Sequence, residues 1–256
     1  MARRRPAGEE IKVYGQHACR AVFTRRAADI VRVYLGRELV KPFGDLLHAC
    51  AEMRRPYRVV TDAELERITD SRHHEGICLV ARPRPTPSLE DMLRAPGPGF
   101  VVALAGVSNP HNAGAILRSA AHFGARAVLL GGGEPRLPPA AYRTAQGGAE
   151  WVDVVAAPDL GAALAAARQA GFTICATSSR SGTDLYRAEL PARAAILLGG
   201  EAEGVPPALA RQADVTLSIP GTGHVDSLNV AAAAAVLLSE LWRRRGAPPI
   251  SSRRRT

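Results

Sequence analysis

Phe100 to Gly106, FVVALAG, is apolar throughout, and a strand of that pattern is stable only when both of its faces are covered. The residues that follow repeat the demand at regular intervals. Apolar strands are expected at Ala127–Leu130, Trp151–Val155, Phe172–Thr177, Ala194–Leu198 and Val215–Ile219. Between them the 3.6-residue period predicts helices: one that Asn112 can cap, running through Arg118 to Phe123 and closed by Gly124, one around Pro139–Gln146, and one at Leu160–Ala170. Strands alternating with helices imply an α/β fold with a mainly parallel sheet. Ligands of such sheets bind beyond the carboxyl ends of the strands. Here the ends after residues 106, 198 and 219 are rich in Gly, Asn and Ser.

Residues 11–81 read as a smaller α/β unit. Helices are expected at Gln16–Arg25, Phe43–Arg54 and Ala63–Thr69, the last begun by Asp62, with strands at Val31–Leu35, Tyr57–Val60 and Ile77–Ala81. The proline-rich stretch 82–99 reads as a stiff linker at the domain boundary, 100–245 as the second domain and 246–256 as a basic tail. His73-His74-Glu75 precedes the strand at Ile77. Adjacent residues point in different directions and the sequence supplies no further ligand, so a turn or an RNA-facing loop is expected there, and no metal site.

With 46% apolar and 22% charged residues the chain can bury a core, which excludes a disordered polyelectrolyte. The net charge of +9 comes mainly from arginine, clustered at Arg3–Arg5, Arg243–Arg245 and Arg253–Arg255. Such clusters suit phosphate, so a polyanionic partner is expected, although an arginine-preferring genome would leave the same trace. Cys19, Cys50, Cys78 and Cys175 are scattered and without ligand spacing, as befits buried reduced thiols. The basic start has no apolar segment behind it, and no apolar run approaches 18 residues, so neither a signal peptide nor a membrane helix is expected. A cytoplasmic location follows as the expectation.

No G-x-G-x-x-G follows an N-terminal strand, and GGEAEG at 199–204 is followed by Val205-Pro206 where a phosphate loop needs Lys-Ser/Thr. Neither a G-x-S-x-G elbow nor H-E-x-x-H occurs, so hydrolase chemistry has no visible nucleophile and base. In Ile219–Leu241, IPGTGHVDSLNVAAAAAVLLSEL, Gly221 and Gly223 permit tight turns, and Asp226 and Ser227 sit where a helix needs a capping acceptor. Taken alone, this stretch is either an ordinary loop leading into a helix or a ligand loop.

Three segments occur in order: NPHNAGAILRSAAHFGA (109–125), ILLGGEAEGVPP (196–207) and Ile219–Leu241. Together they resemble the three motifs of the SpoU, or TrmH, family of RNA ribose 2′-O-methyltransferases, in the SPOUT superfamily. The first reproduces N-x-G-x-[IL]-x-R-[ST]-A with Asn112, Gly114, Ile116, Arg118, Ser119 and Ala120. Residues 11–81 resemble more weakly the ribosomal-protein-L30e-like substrate-binding domain, through Tyr14-Gly15-x-x-Ala18 and His74-x-Gly76-Ile77. The resemblance implies a C-terminal deep trefoil knot formed by Ile219–Leu241, S-adenosylmethionine as cofactor, a homodimer with the site near the subunit interface, and an RNA substrate, ribosomal or transfer RNA, with ribosomal RNA favoured by analogy with the front domain.

Residue by residue, the resemblance assigns the central catalytic role to Arg118 and site-arranging or catalytic roles to Asn112, Glu201, Ser227 and Asn229. Thr177, Gly199, Gly204, Ile219 and Leu228 would contact the cofactor. An arginine stays charged under ordinary conditions, so Arg118 is expected to stabilise the forming alkoxide and orient the neighbouring phosphate rather than act as general base. His111 and His122, beside the first motif, are expected to pack or face solvent. Three positions depart from the family pattern: Gly221 where many members have methionine, Asp226 where many have glutamate, and Ala202 in place of a loop glycine. The departures at Gly221 and Asp226 keep alive a rival, a knotted RNA-binding or assembly protein with weak or no turnover. A base-directed methyltransferase of the same fold is a nearer rival, disfavoured by Arg118 and Ser227-Leu228-Asn229.

Overall fold

The computed structural model describes residues 10–132, 137–201 and 203–245, so the tail 246–256, Arg3–Arg5 and Ala202 lie outside the described residues. Among these residues the chain forms two sheets. The first is built from β1 (Ile11–Tyr14), α1 (Gln16–Arg26), β2 (Ile30–Leu35), α2 (Gly44–Glu52), β3 (Tyr57–Val59), α3 (Asp62–Thr69) and β4 (Ile77–Ala81), with strand order β1-β4-β2-β3. β4 runs antiparallel to both β1 and β2, while β3 is parallel to β2. Val13, Cys19, Val22, Val33, Leu35, Leu46, Ile77 and Leu79 close the core of this front unit. The cap of α3 is Thr61, not Asp62: Thr61 and Glu64 exchange hydrogen bonds in a capping box.

The stretch expected as a linker carries a helix, α4 (Leu89–Arg94), capped by Ser88, and β5 (Gly99–Ala105) begins at its end. The second unit continues with α5 (Pro110–His122), β6 (Ala127–Gly131), α6 (Pro139–Ala145), β7 (Asp153–Ala157), α7 (Leu160–Gln169), β8 (Thr173–Thr177), β9 (Thr183–Asp184), β10 (Arg193–Gly199), α8 (Pro207–Ala210), β11 (Val215–Ser218) and α9 (Val230–Arg244). Its seven-stranded sheet has the order β7-β6-β5-β10-β8-β11-β9, and every pairing is parallel.

The apolar run in β5 is explained by what covers it. Phe100, Val102 and Leu104 face a core completed by Ile116 and Leu117 of α5 and Ala234, Leu237 and Leu238 of α9. Val101, Ala103 and Ala105 face the other core, with Met92 and Leu93 of α4 and Leu164 of α7. β5 leads to β6 on one side, whereas its other neighbour, β10, arrives much later in the chain. The strand order therefore reverses between β5 and β10, the kind of switch point at whose carboxyl ends ligands of parallel sheets bind. The loops there touch: Gly200 N–H donates to Ala105 O at 2.9 Å, and a Cβ on Gly200 would lie 2.6 Å from Gly106 O.

All four cysteines are free and buried, as expected. Burial pushes the Cys78 and Cys175 thiols up to about 12. Among the described residues no helix is long and apolar enough to cross a membrane.

Candidate active site

Helix α5 starts just beyond the carboxyl end of β5, but Asn112 is not its cap. Asn109 Oδ1 accepts the His111 N–H at 2.9 Å and Pro110 occupies the first turn, which leaves Asn112 inside the helix with its side chain free to bond elsewhere. Likewise α9 is capped by Asn229 rather than Asp226 or Ser227. Asn229 Oδ1 accepts the N–H groups of Ala231 (2.9 Å) and Ala232 (3.4 Å). Because a backbone N–H can only donate, those bonds fix the Asn229 amide, and its Nδ2 must face the other way.

There it meets Glu201. Asn229 Nδ2 donates to Glu201 Oε1 at 2.6 Å and to Asn112 Oδ1 at 3.2 Å, and Asn112 Nδ2 donates to the same Glu201 oxygen at 2.7 Å. One carboxylate oxygen thus holds the loops after β5, β10 and β11 together, by charge-assisted bonds. The second oxygen of Glu201 accepts no hydrogen bond among the described residues and stays available. The structure joins Asn112, Glu201 and Asn229, which share no neighbourhood in the sequence.

The glycines of the β10 loop are used in different ways. A Cβ on Gly199 would stand 1.9 Å from the Gly204 carbonyl carbon, so the hairpin-like bridge Gly200–Gly204 closes only over a glycine. Gly204, at φ +67, has open space where a Cβ would be, as has Gly221; backbone there is bare to an approaching ligand. Thr177 Oγ1 donates to Leu197 O at 3.0 Å and stitches β8 to β10. Ile219 packs half-buried on the core under α5 and α9. Residues 221–229 are exposed throughout, with Val225 at 72% and Leu228 at 48%. Ser227 and Asp226 make no hydrogen bond or ion pair among the described residues.

Arg118 does not enter the Asn112–Glu201–Asn229 network. It lies six residues beyond Asn112 on α5, about 120° round the helix at 3.6 residues per turn. Its side chain is exposed and, among the described residues, forms no hydrogen bond or ion pair. Of the flanking histidines, His111 Nδ1 sits 3.2 Å from Thr144 Oγ1 and ties α5 to α6, and His122 packs edge-on against Phe123. In the front unit His74 is buried and its Nδ1 accepts the Gly76 N–H, so it shapes a turn. Among the described residues no group of three His, Cys, Asp or Glu could hold a metal ion.

Sequence reasoning missed how the two units are fixed to each other. Arg26 of α1 makes a bidentate, buried pair with Glu150 (2.7 and 2.9 Å), and Arg84 bonds Asp153 (2.7 Å) and Val152 O (2.6 Å). Nothing local marks Glu150 as a partner of a residue 124 positions away.

Residues 99–239 match the SpoU rRNA Methylase family, and residues 12–87 match the RNA 2′-O ribose methyltransferase substrate-binding family. An uncharacterized tRNA/rRNA methyltransferase of Escherichia coli O157:H7 is 39% identical over 241 residues, 94% of this chain and 70% of that protein. The 23S rRNA (guanosine-2′-O-)-methyltransferase of Escherichia coli strain K12 is 30% identical over 241 residues, 91% of this chain and 98% of that protein. Among solved structures, an RNA 2′-O ribose methyltransferase superposes with a TM-score of 0.76 at 26% identity, covering 92% of this chain and 89% of that one. The fold is also that of the SpoU methyltransferase AviRb from Streptomyces viridochromogenes in complex with AdoMet (TM-score 0.76, 22% identity, 93% and 91% covered). With family matches across both units, and relatives aligned from the front sheet into α9, the chain belongs to the SpoU rRNA Methylase family and is, as a member, an RNA 2′-O-methyltransferase.

Proposed function

We propose that the chain transfers a methyl group from S-adenosylmethionine to a ribose 2′-hydroxyl of ribosomal RNA in the cytoplasm, acting as a homodimer with a knotted C-terminal segment. The observation that carries this reading is the convergence of Asn112, Glu201 and Asn229 on one carboxylate oxygen at the sheet's switch point. Bare backbone at Gly204 and Gly221, the apolar Ile219 and Leu228, and the available oxygen of Glu201 suit a cationic ligand with a planar base that lies along backbone. When bound, S-adenosylmethionine supplies an electrophilic methyl group on a sulfonium. The chain's own residues do the rest. Glu201, held by two amides, organises the three loops, and Arg118 offers N–H donors to the adjacent phosphate and to the 2′-oxygen as its proton passes to water; that oxygen takes the methyl group and the demethylated cofactor leaves as a neutral thioether.

Two further features support the finer parts of the reading. β11 lies three strands from β5, yet α9, which follows it, packs on α5. A chain returning across the strand ends in this way suits a knot. Arg118 points away from the Asn112 network, and the 221–229 loop exposes Val225 and Leu228, so a site shared between two copies would unite them. Ribosomal RNA is favoured by the 23S rRNA methyltransferase relatives, which align over nearly their whole length. A front unit at 11–81, a connecting stretch at 82–99 whose Met92 and Leu93 pack on the second unit, a catalytic unit at 100–245 and a basic tail at 246–256 is the domain division that goes with it.

The test is Arg118→Ala. Methyl transfer to RNA is expected to vanish while titration calorimetry still records S-adenosylmethionine binding. Mixing Arg118→Ala with Asn229→Ser protein is expected to restore part of the activity if each site draws on both copies. Full turnover by Arg118→Ala, or no cofactor binding by the wild type, overturns the reading.

A further inference from the structure

An exposed tryptophan stands where the two units meet. Gly147 takes φ +88, and Gly148 presses on α5 so closely that a Cβ would lie 2.9 Å from Leu117 O and 3.1 Å from Arg118 Cα. The turn Gly148–Glu150 ends at Trp151, whose N–H donates to Gly148 O at 3.0 Å. Residues three apart in such a turn are within about 7 Å, so Trp151 and Arg118 lie within about 12 Å, Cα to Cα. Trp151 is 54% exposed. Over its ring, 4.3 Å from the centroid, lies the guanidinium of Arg25, from the last turn of α1 in the front unit. The acids of this turn are already committed, Glu150 to Arg26 and Asp153 to Arg84. What faces solvent is therefore an indole, its guanidinium partner and the neighbouring Arg118.

We propose that Trp151 and Arg25 form a stacking site for an unpaired base of the substrate RNA, close to the nucleotide handled by Arg118. The inference rests on the RNA-directed function proposed above. Every base offers a π-face, so an aromatic platform with a cationic partner holds single-stranded RNA with little regard to sequence. A large exposed indole is poorly placed for a monomer's stability but well placed for such a ligand. The platform is composite, with one residue from each unit. RNA reaching from the front unit toward Arg118 crosses it, and the Arg26–Glu150 pair keeps its two halves in register.

Trp151 and Trp242 are the chain's two tryptophans, so Trp242→Phe makes Trp151 the sole indole reporter. An oligoadenylate of about 12 nucleotides is expected to quench its fluorescence, and inorganic polyphosphate of matched charge is not. Should Trp242→Phe fail to fold, the same quantity is read as the difference between wild type and Trp151→Phe. With ribosomal RNA as substrate, Trp151→Ala is expected to raise KM about five- to hundredfold with little change in kcat, and Trp151→Phe to recover most of it. Oligoadenylate binding, followed by anisotropy, without quenching overturns the inference alone. Emission that shifts with protein concentration and ignores RNA assigns the patch to contact between copies and also overturns it. No RNA binding at all overturns it together with the function on which it rests.

Discussion

Asn229 does two jobs that substitution can separate. Its Oδ1 caps α9 through Ala231 and Ala232, and its Nδ2 holds Glu201 and Asn112. Asn229→Ala removes both. The lost cap costs about 1 kcal/mol, within a range of about 0.5–2. The bond to the Glu201 carboxylate adds about 1 kcal/mol more, discounted because both residues are exposed to water. A total of about 2 kcal/mol lowers the melting temperature of a chain this size by about 4–8 °C. Asn229→Ser keeps a capping oxygen but has no amide to give Glu201, so it is expected to lose only the second contribution, about half that shift. Methyl transfer responds differently, since both variants release Glu201 and both are expected to be severely impaired. The assays are differential scanning calorimetry and transfer of labelled methyl to RNA. Equal melting of the two variants would refute the capping role, and full turnover by Asn229→Ser would refute the role of the carboxylate network.

Gly199→Ala puts a Cβ 1.9 Å from Gly204 backbone and is expected to cost about 1–3 kcal/mol and abolish cofactor binding, whereas Gly221→Ala meets nothing within 4 Å and should stay within about 0.5 kcal/mol of wild type in urea unfolding. Arg26→Ala leaves Glu150 buried without its partner and should cost about 3–5 kcal/mol, while the apolar pair Arg26→Met with Glu150→Leu recovers most of that loss. Glu240 is held down to about 2 by hydrogen bonds from Arg243 and Arg244. A depressed carboxylate stabilises fully above its unfolded value and loses that contribution as pH falls toward the folded one. Wild type should therefore exceed Glu240→Gln in stability by about 1–2 kcal/mol at pH 7, after allowing for solvent around Arg243, and the gap should close between about pH 4.5 and 2.

Much of the second unit was legible because its strands are covered on both faces and so carry unbroken apolar runs; β5 and β10 are the clearest cases. β1, only IKVY, was too short to stand out, and the two-residue β9 exists only because β11 offers it an edge. The caps were misread in both motif helices for one reason. Asn112 and Asp226 are plausible acceptors by type, but Asn109 before Pro110, and Asn229 before Val230, occupy the geometrically correct positions. Of the site, the identities of Asn112, Glu201 and Asn229 came from motif resemblance. Their meeting on one oxygen depends on a strand order that brings β10 beside β5, a non-local outcome invisible to periodicity. The Arg26–Glu150 lock and the Arg25–Trp151 stack are contacts between units and leave no pattern in either segment.

The central claim is methyl transfer to a ribose 2′-hydroxyl of ribosomal RNA. Purified protein, incubated with methyl-labelled S-adenosylmethionine and unmodified total RNA, is expected to label ribosomal RNA at a discrete nucleotide. After nuclease digestion the label should be recovered as a 2′-O-methylribose that resists alkaline cleavage at its 3′ side. Label on a base, label confined to transfer RNA, or no transfer by protein that binds the cofactor would contradict the account.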